Sequence, residues 1–320
     1  MAEPTVHPAE LPARKPWYRR RLWLWPLVLV VVIVVYYAGG MAWLHRVDDD
    51  PDFAVESSAP EGGSRAVALT ADLIDREINT NRWVANDPFF MPGSMLDNMP
   101  NYQQGIVAGL SRFAIELTDQ IARTRGSSQV DPDLNTASGL LRYPGDVWIF
   151  DLSTSLAPTA SSESQYRRAM NALRDYNQRL AAGNAVFEIR ADNLLATLDR
   201  IAADIGSSSA ALDQHLAEGG LGIDFTADDL FYANKGRLYA YYLLLRELGQ
   251  DYAKVLQDRD LETAWAQMLD SFRAAATLQP WVVINGAPDS QLIPSHLAAQ
   301  GFFLLRARTQ LREITNILLK

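Results

Sequence analysis

The apolar positions form one unbroken run near the start of the chain and then a succession of helical stripes. Leu22 to Leu44 contains no charged residue. A helix of that length reaches about 34 Å, enough to cross a bilayer core about 30 Å thick. Trp17, Tyr18, Trp23 and Trp25 gather at one edge of the run, and Tyr36, Tyr37 and Trp43 at the other. Amphipathic rings favour both membrane–water boundaries, so the pattern reads as a transmembrane helix over 22–44. The competing readings are a cleaved signal peptide, with Gly40-Met41-Ala42 as a small-x-small site, and an internal core helix.

Beyond the run, apolar residues recur at three- and four-residue steps. Helices are expected over 67–79, 100–125, 162–183, 184–205, 210–218, 226–248, 260–279 and from Ser295 to the end. In the second, Tyr102, Ile106, Gly109, Phe113, Leu117 and Ile121 share one face, and Gly105 and Gly109 on that side imply a close neighbour. Ser162 with Gln165 and Thr226 with Asp229 read as capping boxes. Gly126, Gly206 and Gly249 read as stops. Val147–Phe150 and Trp281–Ile284 read as extended, either paired with each other or as buried loops. The fold class expected is all-α: a single N-terminal transmembrane helix, then an antiparallel multi-helix bundle with at most two short strands.

Charge orients this arrangement. Arg14, Lys15, Arg19, Arg20 and Arg21 precede the run, and Asp48, Asp49, Asp50 and Asp52 follow it. Basic flanks stay on the cytoplasmic side. Residues 1–21 are therefore expected in the cytoplasm, 45–65 as a flexible acidic stalk, and 66–320 as a helical soluble domain beyond the membrane. The +3 on residues 1–44 leaves −12 for the rest of a chain whose net charge is −9. An acidic domain repels nucleic acid, so the partners expected are the lipid bilayer, through residues 22–44, and an envelope protein. There is no cysteine, hence no disulfide framework and no thiolate chemistry.

Three stretches carry a resemblance: RWVANDPFFMPGSMLDNMPNYQQG (82–105), RTRGSSQVDPDLNTASGLLRYPGDVWIFD (123–151) and NAVFEIRADNLLATLDRIAADIGS (184–207). Together they resemble the DUF2333 family of bacterial proteins. The resemblance implies a bacterial source, and with a double envelope an inner-membrane anchor and a periplasmic domain. It implies no activity, cofactor or catalytic residue.

The residues themselves give little chemistry. The histidines are His7, His45, His215 and His296, with no HxxxH or HxH spacing, and no metal or cofactor is expected. No phosphate-binding glycine motif and no GxSxG elbow occurs. Gly219-Gly220-Leu221-Gly222 reads as a connector. Glu163-Ser164 resembles the start of lytic transglycosylase motifs, but the Gly- and Gln-rich segments that should follow are missing, so Glu163 reads as a helix-start carboxylate. The loops are the unusual part. Trp83, Asn86 and Asp87 lie in one, and Arg123, Arg125, Asp131 and Asp133 in the other. They are candidates for a binding surface or for structural staples that satisfy buried backbone groups. The function expected is a membrane-anchored, non-enzymatic interaction module of the cell envelope. The alternative is a peptidoglycan-directed enzyme or binding protein.

Overall fold

Ten α-helices account for most of the described chain. The computed structural model describes residues 24–55, 59–124, 130–150, 157–218, 225–287 and 293–320. In order the helices are α1 (Leu24–Leu44), α2 (Arg65–Asp75), α3 (Asn98–Thr124), α4 (Pro132–Leu140), α5 (Ser162–Ala181), α6 (Ala191–Glu218), α7 (Phe225–Asp251), α8 (Ala253–Asp258), α9 (Glu262–Ala276) and α10 (His296–Leu318). A π-helical turn, Arg76–Thr80, extends α2, and a 3-10 turn, Pro92–Met95, precedes α3. The expected all-α class holds.

α7 is the axis of the bundle, with α2, α3, α6, α8, α9 and α10 packed around it. Its sequence explains why. Leu238, Tyr239, Ala240, Tyr241, Tyr242, Leu243, Leu244 and Leu245 are consecutive and all buried. Eight successive buried residues leave no polar face, so such a helix must be surrounded. α3 crosses it with backbone nearly touching backbone. A methyl group on Gly105 would strike the Ala233 carbonyl, and one on Gly236 would strike the Tyr102 carbonyl. The close neighbour inferred from Gly105 and Gly109 is therefore α7.

Several expected boundaries shift, each for a local reason. Gly206 does not end a helix: α6 runs through it and absorbs the separate 210–218 segment, with Gly206 facing the Arg308 guanidinium. Gly249 likewise lies inside α7, against the Trp265 indole. Both glycines make room for a neighbour instead of terminating a helix. The cap of α5 is Ser161, whose hydroxyl accepts from the Ser164 amide; Ser162 instead bonds the Pro144 carbonyl. α4 and α8 were not expected. The two extended runs do not pair with each other. Val147 and Ile149 carbonyls accept from the Ser162 and Thr159 amides, and Ile284 pairs with His296. Among the described residues no strand forms beyond an isolated Asn285–Ser295 bridge. Gly126 and the 219–222 connector lie outside the described residues, as do residues 1–23.

α1 stands apart from the bundle over its first half, where its apolar side chains are exposed. Its last turns are integrated. Leu44 is buried with Val84 and Met99, and Gly40 lies so close to Pro92 that a methyl group there would overlap the proline ring.

Candidate functional site

The chain that leaves α1 runs across the bundle, and the bundle is built to hold it. Tyr102 donates its hydroxyl to the Asp48 carbonyl at 2.7 Å, and Tyr239 donates to the Asp50 carbonyl at 2.7 Å. Arg246 donates to the carbonyls of Pro51 and Phe53. The Arg76 guanidinium bonds the Asp48 carbonyl and lies over the rings of Phe53 and Tyr239, at 4.8 and 5.1 Å. The donors come from the π-helical turn after α2, from α3 and from α7, so the segment can dock only on the assembled bundle. Within the stretch expected as a stalk, Asp48, Asp50, Pro51 and Phe53 have their carbonyls held by bundle side chains. Their polar backbone finds fixed partners here, which offsets the entropy of ordering it.

Two buried ion pairs hold this dock. Lys235, 1% exposed, donates to the Asp49 carboxylate at 2.6 Å and to the Leu278 carbonyl. Gln279 donates to both Asp49 oxygens at 2.9 and 3.0 Å. Burial pulls the Lys235 ammonium below the usual lysine range, and Asp49 opposes that pull. Beside it, Arg76 pairs with the fully buried Glu77 at 2.7 Å. Burial pushes the Glu77 carboxyl up, while Arg76, Gln103 and Asn81 pull it down. For Arg76, burial acts to lower the guanidinium and Glu77 reverses it, so it stays charged. Both cations are enclosed and hydrogen-bonded, an arrangement that immobilises chain.

The residues singled out in the sequence fall into three separate places. Trp83 is buried, donates to the Gly145 carbonyl at 2.8 Å and meets Tyr166 edge to face. Asn86 donates to the Val147 carbonyl at 2.9 Å and to Glu163 at 2.8 Å. Asp87 pairs with Arg82 at 2.9 Å, and burial raises its carboxyl. Trp83 and Asn86 tie the 82–96 loop to the 145–147 loop and the start of α5, and Asp87 braces the 82–96 loop from within. Asp131 caps α4 and, with Asp133, holds Arg179 of α5 at 2.7 and 2.5 Å. Arg123 reaches back to Glu116 at 3.0 Å. Arg125 lies outside the described residues. Nothing among the described residues brings the three groups together. Gln103 is a staple that the sequence reading missed: it bonds the Arg82 carbonyl, the Val84 amide and Glu77.

Among the described residues no three His, Asp or Glu side chains converge in a metal-holding cluster. A groove of about 690 Å³ lies beside Arg246, Gly249, Lys254, Glu262 and Trp265. It is open to solvent, and Asp258 lines it as well.

The architecture thus defines an all-helical bundle with one apolar helix locked to its edge. The chain belongs to the DUF2333 family, described as an uncharacterized protein conserved in bacteria, which matches residues 17–227. No curated protein and no solved structure matches it.

Proposed function

We propose that this is a single-pass inner-membrane protein whose α1 spans the bilayer, N-terminus in the cytoplasm, and whose helical bundle works in the periplasm as a non-enzymatic interaction module. One observation carries the reading. α1 is apolar and exposed over its first half, while its last turns and the segment after it are built into the bundle. Cleavage at Gly40–Ala42 would remove Tyr36, Tyr37 and Gly40, which all contact the 89–92 loop. That favours an uncleaved anchor over a signal peptide. The docked segment makes the bundle a rigid extension of the span, not a domain on a tether.

The staples support the non-enzymatic side. Glu163, the one carboxylate with a resemblance to a peptidoglycan-cleaving acid, is occupied by Asn86. Alkaline phosphatase and green fluorescent protein fused to the C-terminus test the topology: phosphatase activity without fluorescence is expected, and the reverse overturns it. Incubation of the purified protein with cell-wall sacculi tests the role, since released muropeptides would rule out a purely structural module. In-cell crosslinking would then identify the envelope partner.

A further inference from the structure

Two loops far apart in sequence make one apolar surface beside α1. Pro88–Met95 and Val147–Phe150 contain no charged residue. The bonds from Trp83 to Gly145 and from Asn86 to Val147 bring them together. Phe89, Phe90, Trp148 and Phe150 then form a chain of edge-to-face contacts with centroids 5.4, 5.6 and 5.4 Å apart. These side chains are not filling a core: Phe89 is 83% exposed and Met95 63%, and Phe90 and Phe150 are also exposed. An uncharged aromatic patch facing water is unfavourable and marks a contact surface.

Its position relative to α1 is fixed. Tyr36 donates its hydroxyl to the Phe90 carbonyl at 3.2 Å and Tyr37 to the Phe89 carbonyl at 2.7 Å, while Pro92 rests on Gly40. The loop is therefore held against the helix eight residues before its end at Leu44. At 1.5 Å per residue, Tyr36 lies about 18 Å from Leu24, and Leu44 about 30 Å. If α1 fills a core about 30 Å thick, the Phe89–Phe90 loop lies about 12 Å below the outer boundary. Irregular backbone exposed to hydrocarbon is costly, so the helix settles with the loop raised toward the interfacial layer. Rings are favoured there.

We infer that Phe89, Phe90, Met95, Trp148 and Phe150 form a second membrane contact, an aromatic foot inserted in the outer leaflet of the bilayer beside the span. The inference rests on the reading of α1 as a transmembrane anchor. The occupant is lipid because the patch is continuous with the apolar helix and bonded to it at bilayer depth. The foot and the docked Asp48–Phe53 segment together set the height and tilt of the bundle above the membrane.

The absence of cysteine allows a direct test in the full chain, reconstituted in vesicles of phosphatidylethanolamine and phosphatidylglycerol. Single spin labels are placed at Phe89→Cys, Met95→Cys, Val30→Cys and Lys254→Cys, and collision rates with oxygen and with a water-soluble nickel chelate are compared. Oxygen-to-nickel ratios severalfold above that at position 254 are expected at 30, 89 and 95. Because Phe89 and Met95 are exposed, their replacement leaves the core intact, and either position suffices. A water-like ratio at 89 and 95 with a lipid-like ratio at 30 overturns the foot but keeps the anchor. Protection of 89 and 95 from both reagents indicates a protein partner or second copy and also overturns it. A water-like ratio at 30 removes the anchor, and the foot with it.

Discussion

Removing the Asp49 carboxylate should destabilise the protein more than its place in an acidic run suggests. Asp49→Ala leaves the Lys235 ammonium, whose side chain is 2% exposed, with only the Leu278 carbonyl as a partner among the described residues. Breaking one side of a buried pair costs about 3–5 kcal/mol, because the remaining charge stays desolvated. In a domain this large each kcal/mol shifts Tm by about 2–4 °C, so a fall of about 6–20 °C is expected. Lys235→Met should cost less, since Gln279 still donates to both Asp49 oxygens. The double variant Asp49→Ala/Lys235→Met should recover part of the loss, because methionine fills the lysine's space without a charge. Thermal and denaturant unfolding of the full chain in micelles, followed by circular dichroism, gives all three values. Limited proteolysis should show new cleavage near 48–53 in each variant that breaks the pair, most strongly in Asp49→Ala, and none there in the unmodified chain. An Asp49→Ala loss under about 1 kcal/mol, or strict additivity in the double variant, would refute the reasoning that this pair clamps the segment to the bundle.

Gly236→Ala should cost about 1–3 kcal/mol or more, since its methyl group can fit only if α3 and α7 separate; an unchanged unfolding midpoint would mean a looser crossing. Asp131→Ala should lower stability by about 1–3 kcal/mol, through loss of the α4 cap and of an Arg179 contact. Arg123→Ala, at a half-exposed pair, should cost under about 1 kcal/mol; equal losses for the two would contradict this division. Burial, and then repulsion from Asp97 and Asp229, push the Asp228 carboxyl up to about 6. A carboxyl raised above its unfolded value of about 3.9 favours the folded state at low pH, and that advantage is lost as pH rises through 6. Asp228→Asn should therefore raise Tm at pH 8 and leave it nearly unchanged at pH 4; the same shift at both values would exclude the titration.

The candidate loops show how sequence reading both works and stops. Trp83, Asn86, Asp87, Asp131 and Asp133 stand out as aromatic and polar groups crowded into two loops, and each one is hydrogen-bonded or ion-paired. Their partners, Gly145, Val147, Glu163 and Arg179, could not be matched from spacing, because loop-to-loop pairing is set by where the helices stop in space. The dock was missed for a related reason. Its signals were present as Phe53 after an acidic run and as Lys235 at the start of the most apolar part of a long helix, yet Asp49 and Lys235 lie 186 residues apart.

Periodicity and the uncharged run were enough, without coordinates, to establish an all-helical protein with one helix fit to cross a membrane, because both are local properties of side-chain spacing. Only the folded structure could decide what the glycines do and where the chain after α1 goes. Gly206 and Gly249 look like stops when only their own helices are considered, and become contact points once Arg308 and Trp265 are placed against them. Asp48–Phe53 has the composition of a linker, and is ordered because tyrosines and arginines from three helices converge on its backbone. Long-range hydrogen bonds and buried charge pairs form only after the helices pack, and no local pattern encodes them.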